Sequence, residues 1–143
     1  MAVDKTALTA AITTEVGADH ANPVYALTQA DYTAESWTVY ADAITAAIAV
    51  EADANAVQSE VDAAIAPIGT AKAALVFAGQ ADLDIAEAAA AGLTQTDYSA
   101  ASWAVLTDAL ALAETTNALV VAKTTAINNA IAALVFAGQA DLV

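Results

Sequence analysis

The chain has 143 residues, 44 of them alanine, with two prolines and no cysteine, and it carries 17 acidic residues against three lysines and no arginine, a formal net charge of −14. Alanine loses no side-chain entropy in a helix, so this composition argues for an all-α fold and against a sheet, while the charge argues against nucleic acid or an anionic membrane surface as a partner, since both are gripped through Lys and Arg. The missing cysteines fit an extracellular setting, and every apolar run is too short to span a bilayer.

In chain order, a first helix is expected near Lys5 to Val16, with Leu8, Ala11, Ile12 and Val16 on one face and Gly17 ending it. A connection follows, broken at Asn22-Pro23 and anchored by Tyr25 and Leu27. The second helix is predicted to start after Thr33, which can cap free backbone N–H groups, with Glu35 at the positive helix end and Trp37, Tyr40, Ile44 and Ile48 as one buried stripe. The third helix follows a polar segment from Glu51 to Ser59 and turns Val61, Ile65, Ile68 and Leu75 inward. Pro67 within it predicts a kink or break near Ala63 to Pro67.

The plan then returns. A-D-Y-T-A-E-S-W at 30–37 recurs as T-D-Y-S-A-A-S-W at 96–103, an offset of 66 residues, and L-V-F-A-G-Q-A-D-L at 75–83 recurs at 134–142. The second copy is expected to use Ile85 and Leu93 before Ser99, then Trp103, Leu106 and Leu110, then Ile127, Ile131 and Leu134. Ungapped alignment from Leu27/Leu93 to Ala66/Ala132 leaves seven extra residues, Pro67 to Ala73, in the first copy, one heptad within the third helix. The expected architecture is therefore two tandem three-helix bundles, residues 1–81 and 82–143, joined by a short or helical connection into an elongated, semi-rigid rod.

The order D-Y-T-x-x-S-W, then Asp42-Ala43-Ile44 or Asp108-Ala109-Leu110, a polar loop, then Glu60-Val61-Asp62-Ala63-Ala64-Ile65, resembles the FIVAR module, "found in various architectures". The likeness covers nearly all of the second copy and the last 55 to 60 residues of the first. It implies three-helix bundles from large secreted or wall-anchored bacterial proteins, adhesins and extracellular glycoside hydrolases among them, serving as stalk repeats or protein-binding modules. The chain departs from that pattern in a longer first helical region (Asp4 to Tyr25), in Ala126-Ile127-Asn128 where the second copy lacks the Glu-Val-Asp start, and in scarce lysine.

Candidate chemistry is sparse. Tyr32, Trp37, Tyr98 and Trp103 read as core anchors at the start of a helix in preference to stacking platforms for a ligand. Glu51, Asp53, Asn55 and Asp62 sit near EF-hand calcium-ligand spacing, but Ala56 occupies the place where the loop needs glycine and the second copy does not repeat the carboxylates, so a solvated acidic loop is favoured over a metal site. Asp82 and Asp84 at the junction could hold a cation, although Asp141 repeats only the first of them. His20, beside Asp19 and Asn22, lacks a nucleophile partner or companion zinc ligands and reads as a loop or capping residue. No catalytic residue and no cofactor is expected. The partners expected of such a monomer are the neighbouring repeats of a parent protein that continues beyond Val143, with an extracellular protein or glycan as the competing possibility.

Overall fold

The computed structural model describes residues 2–139; Asp141 and the rest of the second motif copy beyond Gln139 lie outside the described residues. The fold is all-α, with six α-helices among the described residues, in two compact units, Met1–Val76 and Phe77–Val143.

The first unit holds α1 (Thr6–Val16), a single 3-10 turn (Gln29–Asp31), α2 (Ala34–Ala52) and α3 (Gln58–Ala73). Thr33 caps α2 by accepting from the Ser36 backbone N–H, and Glu35 lies in the first turn. At α3 the Glu60 carboxylate accepts from the Val57 N–H at 3.0 Å, one half of a capping box, since valine has no oxygen to return the bond. Leu8, Ile12 and Val16 of α1 meet Trp37, Tyr40, Ile44 and Ala47 of α2 and Val61, Ile68 and Ala71 of α3 in one core. These spacings of three, four and seven residues put one stripe of each helix inside.

The second unit repeats the plan with α4 (Gln80–Ala91), a 3-10 turn (Gln95–Asp97), α5 (Ala100–Leu110) and α6 (Asn117–Ala132). Ser99 and Thr116 cap α5 and α6 as Thr33 caps α2. Its core is Leu83, Ala86 and Ala90, Leu106 and Ala109, and Val120, Ile127 and Ala130.

Three sequence expectations need correction. Helix α3 runs unbroken through Pro67; that residue and Ala63, whose carbonyl loses its partner, are both exposed, so water can replace the missing bond. Ile85 is 68% exposed and Leu83 is the buried residue, because the α4 face is set by Leu83, Ala86 and Ala90. The seven extra residues do not lie in the third helix: α3 and α6 are both 16 residues long. Helix α2 has 19 residues against 11 in α5, and the connection that follows grows by one residue, from 53–57 to 111–116. The offset between units thus changes from 66 to 59 before the third helix begins, and at 59 the buried Val61, Ile68 and Ala71 fall on the buried Val120, Ile127 and Ala130.

Candidate functional site

The acidic segment after α2 is organised by the end of that helix. Its last carbonyls have no intrahelical donors. Lys5, arriving from the start of α1, places Nζ 2.7 Å from the Glu51 carbonyl and 2.6 Å from that of Asp53. The Glu51 side chain faces α1 and the following loop, with Oε1 accepting from the Thr9 hydroxyl at 2.5 Å and Oε2 paired with His20 Nδ1 at 2.5 Å. Burial opposes the Glu51 charge, but the Thr9 and His20 hydrogen bonds and the charges of His20 and Lys5 outweigh it and hold the carboxyl below its usual range. The Thr13 hydroxyl donates to the Thr9 carbonyl at 2.8 Å, so it accepts from His20 Nε2 at 3.0 Å. His20 thus clips the connection after α1 onto the end of α2.

The other candidate calcium ligands go elsewhere. Asp53 Oδ1 accepts from the Asn55 N–H at 2.8 Å, and Asp62 Oδ1 accepts from Gln58 Nε2 at 2.9 Å. Asp84 is engaged by Gln80 Nε2 at 2.9 Å, and Asp82 sits in the first turn of α4, where a negative charge suits the helix dipole. Among the described residues no group of three or more His, Cys, Asp or Glu is placed to hold a metal.

The signature aromatics pack on one another. Trp37, 5% exposed, stacks on Tyr32 at 6.0 Å and meets Tyr25 and Tyr40 edge-on at 5.1 and 5.3 Å. In the second unit Tyr98 stacks on Trp103 at 6.0 Å and on Phe136 at 5.3 Å. The serine of each S-W pair ties the motif that closes its bundle: the Val76 N–H donates to Ser36 Oγ and the Val135 N–H to Ser102 Oγ, both at 3.1 Å. The Thr33 and Ser99 N–H groups donate in turn to the Val76 and Val135 carbonyls at 2.8 and 2.7 Å.

With these bundles and their shared closure in view, the comparison with known families is decisive: the FIVAR domain matches residues 4–76 and again 83–139. The chain belongs to the FIVAR family. No curated protein and no solved structure matches it.

Sequence reasoning missed the buried charges of these FIVAR units. Glu15 of α1 is buried, accepting from the Tyr40 hydroxyl at 2.5 Å and from Lys72 Nζ at 2.9 Å, so one carboxylate joins all three helices of its unit. Burial, and then the Glu15 hydrogen bond, push the Tyr40 hydroxyl well above the ordinary tyrosine value. The second FIVAR unit inverts the sign: Lys123 of α6 is only 4% exposed and is paired with Glu87 at 2.8 Å and with Glu114. The hydrogen bonds it donates to Glu114 and then Glu87 raise the lysine above its usual value. Glu15 lies three residues after Ile12 and seven after Leu8, the helical spacing of the buried α1 face, and that spacing was the available signal. Each of the three lysines is thus engaged within its own unit, with Lys123 buried, Lys5 half-buried and Lys72 exposed.

Proposed function

We propose that the two FIVAR units are non-catalytic spacer repeats of a secreted or wall-anchored bacterial surface protein or adhesin, projecting a functional domain from the cell. One observation carries the reading: what the two units share is packing and closure, and what could be chemistry is not shared. Thr33/Ser99, Ser36/Ser102, Trp37/Trp103 and Val76/Val135 do the same structural work twice. His20, Glu51 and Asp53 have no counterparts. A site would be confined to one unit, whereas a spacer needs only the scaffold. The acidic surface suits it as well, since like-charged neighbours on a crowded surface repel.

The second reading, an adhesion module gripping a protein or glycan, is favoured by an open apolar depression of about 510 Å³ on the first unit, lined by Val39, Ala43, Ala63, Ala66, Pro67 and Thr70 among others. Val39 there is 59% exposed. Tyr25 and the 17–29 region are weaker support, because Tyr25 packs into the ring cluster. Passing the chain over immobilised matrix proteins and surface glycans at low and high salt separates the two. The spacer reading expects silence. Saturable binding to one member, abolished by Val39→Asp, would transfer the function to adhesion.

A further inference from the structure

The two units treat the same tryptophan differently. In the first, Trp37 is 5% exposed, and the ring of Tyr25 meets it edge-on at 5.1 Å. Tyr25 lies beside Asp42 as well: its hydroxyl is held above the ordinary tyrosine value first by burial and then by the charge of that carboxylate. A phenol thus fills the space between Trp37 and Asp42.

Trp103 and Asp108 stand at the equivalent places of α5, 66 residues later. The segment that delivers the phenol is missing there. The connection runs over 17–33 between α1 and α2 but only over 92–99 between α4 and α5. Leu93 takes the place of Leu27, and the residues just before it, Ala91 and Gly92, end α4 and carry no ring. Trp103 is accordingly half-buried where Trp37 is buried, and beside it opens a cavity of about 290 Å³ lined by Gln95, Ala100, Trp103, Ala104, Thr107 and Asp108.

The lining defines what the cavity can take. Its volume is at the low end of ligand pockets and suits one ring. Trp103 offers an indole for edge-on or stacked contact, and the two alanines keep the neighbouring helix surface low. The polar groups of α5 are acceptors: Asp108 is a carboxylate, and the Thr107 hydroxyl already donates its proton to the Trp103 carbonyl at 3.0 Å, so toward a ligand it can only accept. A net charge of −14 disfavours an anion. The site therefore asks for a neutral, flat ring that carries a hydrogen-bond donor.

We infer that this cavity is a docking socket for a tyrosine side chain of a partner protein, the ring against Trp103 as Tyr25 is against Trp37 and the hydroxyl donating to Asp108. The first unit supplies the occupant's chemistry, because it fills the matching space with a tyrosine of its own. The inference goes beyond the spacer reading and is independent of it, since a unit can hold a partner and still add length.

The test is an NMR titration of the full chain with acetyl-Gly-Tyr-Gly-amide, read at the two tryptophan indole N–H signals. The Trp103 signal should shift saturably with a dissociation constant of roughly 1 mM, as fits a single ring. The Trp37 signal should stay in place, its site being filled by Tyr25. Exchanging the tyrosine of the peptide for phenylalanine, or Asp108→Ala in the protein, should weaken binding roughly tenfold by removing a charge-assisted bond. A phosphotyrosine peptide should not bind. Ala104→Arg, at an exposed position, should abolish binding with helix content unchanged, by filling the socket and pairing with Asp108 one turn on. No shift, equal shifts at both indoles, equal affinity for the phenylalanine peptide, or a shift that survives Ala104→Arg would overturn the inference. So would saturation by methyl glucoside with none by the tyrosine peptide, which would assign the cavity to a sugar ring.

Discussion

Glu15 ties the three helices of the first unit together through a single buried carboxylate. Its carboxylate is the partner of a buried phenol and of Lys72, and a buried charge network that loses one member leaves the others unpaired. Glu15→Ala should cost about 1–3 kcal/mol by chemical denaturation, because it leaves the buried Tyr40 hydroxyl without its acceptor, whereas Lys72, 43% exposed, can return to water. Lys123→Met should instead change stability by no more than about 1 kcal/mol in either direction, because an apolar side chain suits the buried position and Glu87 and Glu114, each more than a third exposed, can return to water. A second residue-scale prediction concerns pH. The Glu51 carboxyl is lowered in the fold from an ordinary value of 4.5, so its contribution is present above that value and is lost as the pH falls through the lowered one. Between about pH 7 and about pH 3 the native chain should therefore lose more of its urea midpoint than Glu51→Gln does. Parallel curves would refute the latch between His20, Thr9 and Glu51. Tyr40 acts at the other end: its value is raised from 10.0, so its contribution is intact below that value and fades as the pH rises through the raised one.

Helices were legible where a cap and an apolar stripe coincide. Thr33 and Ser99 before Trp37 and Trp103 announce α2 and α5, and both begin where those caps predict. The length difference between units was misplaced for a physical reason: alanine-rich segments align equally well in several registers, and only burial distinguishes Ala71/Ala130 from the alanines beside them. Pro67 misled in the same manner, because its cost depends on whether the orphaned carbonyl faces water, which no local pattern reports. That cost remains in the helix. Pro67→Ala should stabilise the first unit by about 1–3 kcal/mol, read from the shift of its denaturation midpoint, and a loss of stability would mean that the ring contributes packing along the depression between α2 and α3. The polar tertiary contacts were the least legible elements. Lys5 reaching the end of α2 and Ser36 reaching Val76 join segments about 45 and 40 residues apart in sequence, distances at which periodicity carries no information.

At the scale of the whole molecule, the architecture is duplicated while His20, Glu51 and Asp53 are not. Two bundles are closed by the same motif, their three lysines are engaged within them, and most of the described carboxylates are exposed. Each unit thereby has its own core and its own buried charge, as modules that work in series require. Fold was readable from alanine content and repeat spacing; function was not, because a FIVAR bundle serves more than one role and its residues here are occupied with holding it together. Small-angle scattering on the purified chain, at low and at high salt, tests the central claim most directly. The spacer account predicts a distance distribution with two separated bodies, unchanged by salt; a single compact body, with the units folded against each other, would contradict it.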